Sequence, residues 1–440
     1  MATDAPGGAP GGASTPASTP GAPTPEFAPT RAAGLEHLQA FLPQAGAAYR
    51  QGRNYDRPGH ANVSRLSPYI RHRMVTEEEV LTAVLARFAP STAEKFVHEV
   101  FWRTYSKGWL EMRPSVWASY RAGLARAQDR LATEGGLRTG WEQACHGATG
   151  IAPFDHWARE LVETGYLHNH ARMWFASIWT FTLGLPWELG ADFFLRHLLD
   201  GDPASNTLGW RWVVGLHTPG KVYVARSSNI SKFTEGRFGG VHGLAADPAP
   251  APGPENPPRG APPVSEPWEP EARTGLVLTE DDLSPGWLLE AGLAPVSTAV
   301  LAGVAHRSAL EVAPRVHAFT RAAVEDMLAR HGDRLGVPGP LTGLDPGLDP
   351  VAEMAEQAEA LADWARAHSL EQIVAPYPPV GPAADAFAIA RRRLEERGLR
   401  VATAIRPYDQ RAWPHATHGF FRFKDRIPEL LGALRGLRAA

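Results

Sequence analysis

The chain has 440 residues, a formal charge of −3, 44 % hydrophobic and 21 % charged residues, a composition that argues against wholesale disorder. Its one cysteine, Cys145, excludes an intrachain disulfide and any Cys-rich zinc or iron–sulfur site, so a reducing, cytoplasmic setting is expected. The longest apolar runs, such as 173–187 with its Pro186, fall short of the ~20 residues a spanning helix needs, and no signal-peptide pattern opens the chain.

Residues 1–30 are almost all Gly, Ala, Pro, Ser and Thr. They bury too little to offset ordering entropy, which predicts a disordered tail. Residues 76–88 begin with a capping Thr76 and three acids, then carry an apolar stripe, the signature of a helix start. Helical spacing recurs at 92–109, 115–132, 154–166, 168–183 and 188–199, with no convincing alternating strand among them. Residues 243–272 are Pro-rich, either a stiff linker or a long surface excursion. Beyond them, β-rich runs at 274–279, 298–304, 371–376 and 399–405 alternate with helical stretches at 314–331, 350–368 and 382–397. That alternation predicts a parallel sheet flanked by helices. It carries no GxGxxG or Walker-type loop. The expected organisation is multidomain, α and α/β: a tail over 1–30, a helical domain over 31–242, a linker over 243–272 and an α/β domain over 273–440.

Ten of the fourteen tryptophans lie between Trp102 and Trp212. Most indoles in a helical protein are core residues; a redox chain would need several in sequence near one cofactor. Residues 31–240 hold five more basic than acidic residues, and the remainder eight more acidic than basic. The basic half suits a polyanion, or the split is ordinary scatter.

Four clusters carry candidate chemistry. In 62–70 (NVSRLSPYI) hydroxyls and backbone amides gather before a helix, which suits phosphate or simply a helix cap. In 99–103 (EVFWR) an acid and an indole share a helix face; they could grip a flat heterocycle, or form a solvated Glu–Arg pair. In 147–173 (GATGIAPFDHWARELVETGYLHNHARM) Asn169, Arg172 and Met173 fall at helical spacing. His168 and His170, two apart, point to different faces, so no metal site is expected. In 187–212 (WELGADFFLRHLLDGDPASNTLGWRW) Asp200 and Asp202 flank a glycine. They read as a carboxylate dyad, a metal site or acidic helix caps.

In order and spacing these four clusters together resemble the FAD-binding domain of the photolyase/cryptochrome family, over roughly 49–235. SRLSPYI, EVFWR, TGYLHNHARM and DGDPASNTLGWRW carry the resemblance. It implies an all-helical photolyase-type FAD-binding domain, here followed by a C-terminal α/β domain. Residues 371–432 faintly resemble the end of the antenna domain that precedes the FAD domain in the family, so the α/β block reads as a displaced, diverged relative of it. The resemblance names no antenna chromophore. It implies Ser64, Leu66 and Ser67 at the cofactor phosphates, with Tyr49 as a partner and Trp141 lining the pocket. Arg172 would pair with Asp200 beside the flavin, Asp202 would contact the flavin or its ribityl chain, and Asn206 would sit at the flavin N5.

The same resemblance implies an activity. In the enzymes that split cyclobutane pyrimidine dimers, an acid and indoles line the cavity that reaches the flavin. Glu99, Trp102, Asn169, Met173 and Trp212 occupy the matching positions, and the implied partner is UV-damaged DNA. The paired-histidine motif of the (6-4) enzymes does not match His168-Asn169. Trp210 and Trp187 match the inner and middle members of a tryptophan electron-transfer chain, while the outer position falls near Leu131. Arg103 and Arg211, with Arg53, Lys107 and Arg226, are the expected phosphate contacts. The alternative is a cryptochrome-like blue-light photoreceptor without repair.

Overall fold

The computed structural model describes residues 27–345 and 350–434. The expected tail lies, as far as residue 26, outside the described residues. Its end is already structured: Phe27 is buried beside Tyr166, and Thr30 caps the first helix by accepting the Ala33 N–H.

The helical domain opens with α1 (Arg31–Phe41), α2 (Ala47–Gly52), α3 (Ser67–Arg71) and α4 (Glu77–Leu85). The long α5 (Pro90–Glu111) and α6 (Ser115–Thr133) follow, then α7 (Gly135–His146) and α8 (Ala152–Thr164). It closes with α9 (Asn169–Ser177), α10 (Trp187–His197), α11 (Pro203–Val213) and α12 (Ser227–Phe233). The predicted start at Thr76 is a full capping box. Thr76 Oγ1 accepts the Glu79 N–H at 3.3 Å while the Glu79 carboxylate accepts the Thr76 N–H at 2.8 Å, each satisfying an orphan donor. Helix α5 is the spine: Phe96, Phe101, Tyr105 and Trp109 are all buried along it. Gly108 is required there, because a Cβ would meet Trp413 Cα of the C-terminal segment at 2.8 Å.

The α/β domain is built on β1 (Thr274–Leu278), β2 (Ser297–Leu301), β3 (Val337–Thr342), β4 (Gln372–Pro376) and β5 (Arg400–Ala404). The strands are parallel in the order β3-β2-β1-β4-β5. Strands β1, β2 and β4 are buried throughout, which is why each reads as an apolar run. Strand β3 (VPGPLT) escaped sequence reading. It is a largely exposed edge with two prolines, the one place a sheet tolerates them. Helices α13 (Gly286–Glu290), α14 (Pro314–His331), α15 (Pro350–Ala367) and α16 (Pro382–Glu396) lie between the strands in sequence. The short α17 (Pro407–Ala412), α18 (Phe420–Lys424) and α19 (Ile427–Gly432) follow β5.

The Pro-rich stretch is a pinned excursion. Its backbone amides at Ala251, Gly260 and Glu266 bond to the carbonyls of Val214, Met112 and Thr403. Loops at the carboxyl ends of β1, β2, β4 and β5 all face the helical domain. Arg71 pairs with Asp281, Arg307 donates to Leu198 O, Tyr377 donates to Glu111 and Tyr408 bonds Thr104. No helix among the described residues is long and apolar enough to cross a membrane.

Candidate functional site

The loop before α3 is fixed by Asn62, whose Nδ2 donates to Gly52 O at 2.9 Å and Tyr55 O at 2.8 Å. Arg65 then takes a left-handed backbone (φ 53°), followed by right-handed Leu66 (φ −85°). Successive left- and right-handed residues turn their N–H groups into one concavity, which suits an anion. Ser64 and Ser67 flank it half-buried. Tyr49, on α2, is buried between Phe41 and Phe96. Just past α2, Arg53 reaches across to pair with Glu99 of α5.

Helix α9 starts where His168 Nδ1 accepts the His170 N–H at 3.2 Å. Burial pushes His168 down to about 3, so it is a neutral capping residue. The described residues hold no cluster of three or more His, Cys, Asp or Glu that fits a metal ion. One turn on, Arg172 donates to Leu167 O at 3.0 Å and to Asp200 Oδ2 at 2.8 Å. The other Asp200 oxygen is buried with no donor among the described residues.

Asp202 starts α11, its Oδ1 accepting the Ser205 N–H at 2.8 Å. Its Oδ2 meets Arg103 at 3.3 Å and Lys107 at 3.5 Å. Burial opposes its charge, but Arg103, Lys107 and Arg71 prevail and hold the carboxyl well below the usual range. Asn206, one turn further, donates to Ala191 O at 2.8 Å.

The residues expected at the substrate lie on the same helices, Glu99 and Trp102 on α5, Asn169 and Met173 on α9 and Trp212 on α11. Trp102 is 39 % exposed and Trp212 37 % exposed, unusual in a domain that buries most of its indoles. Asn169 is exposed, Met173 half-buried. Glu99 is half-buried against Arg53; burial pushes its carboxyl up while Arg53 opposes that.

Some of the expected residues face elsewhere than the expectation put them. Trp141 lines a separate cavity of about 350 Å³ with Cys145, Phe193 and His197, none of them a predicted cofactor residue, because the cavity opens between residues of α7, α8 and α10. Arg211 is buried and donates to Asn256 Oδ1 at 2.9 Å. Arg103 is turned inward to Glu77 and Asp202. Both guanidiniums are committed to internal partners instead of being presented to phosphates.

Sequence reasoning missed an ionic seam between the domains. Arg73 sits 2.6 Å from Asp409 and 3.6 Å from Asp282, and Arg406 meets Asp282 at 2.6 Å. Glu280, Asp281 and Asp282 follow β1, beside the β1/β4 switch point where open sheets usually bind ligands. Here Arg71, His72 and Arg73 cover that crevice. The run of three acids after a buried strand was the only available signal.

Residues 96–236 match the family model described as the FAD binding domain of DNA photolyase. Over that stretch the helical domain is similar to the FAD-binding domain of DNA photolyases. The deoxyribodipyrimidine photo-lyase of Thermus thermophilus is 37 % identical over 198 residues, 44 % of this chain and 44 % of that one. That of Streptomyces griseus is 34 % identical over 187 residues, 42 % and 39 % of the two chains. That of Alkalihalophilus pseudofirmus is 32 % identical over 203 residues, 44 % and 40 %. The match spans about two fifths of the length of these relatives.

The family's cofactor fits this photolyase-type domain at both ends. The Arg65–Leu66 concavity and its serines suit phosphates, and the unsatisfied Asp200 oxygen suits a ring N–H or hydroxyl donor.

Proposed function

We propose that the protein is a light-dependent DNA repair flavoprotein acting on cyclobutane pyrimidine dimers. The observation that carries the reading is that α5 and α11, which pack on each other, each leave one indole exposed, Trp102 and Trp212, with Glu99 half-buried on α5. Such a surface offers aromatic faces and one carboxyl to a base that has left its stack. A damaged pair stacks poorly and is flipped at low cost.

In this reading Ser64, Leu66, Ser67 and Tyr49 hold the FAD phosphates. Asp200, oriented by Arg172, and Asp202 hold the polar edge of the flavin or its ribityl chain, and the Asn206 amide meets N5. The chemistry supplied by bound, reduced FAD is a single light-excited electron, lent to the dimer and recovered after the ring opens. The chain's own residues do the rest. Trp102 and Trp212 orient the dimer. Glu99 donates a hydrogen bond to a thymine carbonyl, stabilising the negative charge that develops there; a carboxyl raised by burial keeps its proton more readily for that task. Asn169 and Met173 complete the wall.

The test is a blue-light assay on an oligonucleotide carrying one cyclobutane thymine dimer, with reduced protein and a dark control. Light-dependent loss of the dimer is the expected result; no loss with flavin bound and reduced overturns the reading.

The ionic seam favours a second reading. Arg71 and Arg103 connect the Asp202 region to the acidic loop after β1, a route by which a flavin state would reach the α/β domain of a blue-light photoreceptor. Protease sensitivity that changes under illumination would support it. Identical cleavage in light and dark would exclude it.

A further inference from the structure

We propose that the C-terminal segment 413–426 clamps one DNA strand beside the candidate site, gripping phosphates with Arg422 and Arg426 and a base face with Phe421. The inference rests on the DNA reading above and adds a contact surface outside the helical domain.

The segment is fastened to the mouth of the site. Phe420 stacks on Trp102, ring centroids 3.8 Å apart at 12°, so it covers one face of that indole and leaves a flipped base only the other. Tyr105 donates its hydroxyl to His418 O at 2.8 Å, and Arg113 donates to Thr417 O at 2.9 Å. These bonds fix the segment's register on α5. Phe421, the next residue, is 79 % exposed, the most exposed large apolar side chain among the described residues. Burial does not explain it. An aromatic held at the edge of a base-binding site has an evident use, because every base offers a π-face to stack on.

The charge beside it is right for a phosphodiester backbone. His415, Thr417, His418, Arg422, Asp425 and Arg426 line an open groove of about 560 Å³. Arg422 donates to the His418 ring at 3.1 Å, which leaves its charge uncompensated in that bond. Arg426 pairs at 3.1 Å with Glu429, both exposed, and an exposed pair of that kind is readily exchanged for a phosphate. Asp425 is the acid on the groove wall. By contrast, Arg103, Lys107 and Arg211 on the helical domain are turned inward. A strand approaching Trp102 therefore meets further cations on the C-terminal segment.

The experiment measures dark binding of the full chain to two labelled probes across a salt series. One is a duplex with a single cyclobutane thymine dimer, the other an undamaged single strand. Phe421→Ala is expected to weaken binding about tenfold, and Phe421→Trp to restore it. Arg422→Ala with Arg426→Ala is expected to lower the slope of log K against log salt by about one to two. All three side chains are exposed, so the fold survives their loss. Wild-type affinity and slope in both variants overturn the clamp. If the dimer is not repaired but single-strand binding still depends on Phe421, the clamp stands and the repair reading falls. If the wild type binds neither probe, both fall.

Discussion

Asp202 holds the first turn of α11 with one carboxylate oxygen and faces Arg103 at 3.3 Å with the other. The same oxygen lies 3.5 Å from Lys107. A residue read from sequence as a flavin contact is thus also the anion that neutralises two cations in the core. Asp202→Asn keeps the cap and the shape but strands Lys107 and leaves Arg103 with Glu77 alone. Removing one partner of a buried pair costs about 3 kcal/mol or more. Thermal unfolding of the cofactor-free protein should show a lowered transition, partly recovered by adding Lys107→Met. A transition equal to wild type would mean that the anion carries no structural load.

Glu99 is the sharpest test of chemistry against scaffolding. Its partner Arg53 approaches from the end of α2, so both residues stand at the proposed substrate surface and neither closes the core. Glu99→Ala is expected to lower the repair yield per absorbed photon about tenfold while leaving the flavin spectrum and its content unchanged. Glu99→Gln, which still offers a hydrogen-bond donor, should retain more yield than alanine. Equal yields in wild type and alanine variant would remove Glu99 from the reaction.

What the sequence made legible was local. The Thr76 box and the apolar runs of β1, β2, β4 and β5 follow from spacing, whereas the Arg172–Asp200 pair came from the resemblance alone. What stayed hidden was relational. Arg71 and Asp281 lie 210 positions apart, and nothing in either neighbourhood names the other. Trp141 sits close in sequence to the TGI motif, yet one helix rotation turns it toward Phe193 and His197. Arg211 reads as a surface cation until the Pro-rich stretch brings Asn256 over it. The prolines of β3 signal a loop unless its edge position is known.

Glu111 predicts a pH dependence. Burial pushes its carboxyl up to about 7, against hydrogen bonds from Val380 N–H and the Tyr377 hydroxyl. The folded state therefore keeps a proton that the unfolded chain, with an ordinary value near 4.5, releases. The contribution is fully present below pH ~4.5 and is lost as pH rises through ~7, on the order of 3 kcal/mol in all. Denaturant midpoints should fall across that window in wild type and fall less in Glu111→Gln. Parallel curves for the two proteins would show that Glu111 titrates normally in the fold.

Ring contacts offer two branches for a test of electron entry into the proposed flavin site. Trp187, the expected middle member of the chain, lies 5.7 Å from Tyr120, which lies 5.2 Å from Trp117. Tyr120 is buried with its hydroxyl unpaired among the described residues, and burial holds it in the neutral form. The expected outer position near Leu131 cannot relay charge, whereas Tyr120 and Trp117 can. Trp210 also touches Trp179 at 6.3 Å, which offers a branch that bypasses Trp187. Photoreduction of the oxidised protein, followed as loss of the blue flavin band with an external thiol as reductant, separates the two. If the Trp187 branch carries the current, Tyr120→Phe and Trp117→Phe should each slow bleaching several-fold and Trp179→Phe should not. The reverse pattern would assign the current to Trp179, and the tyrosine would then be a packing residue alone.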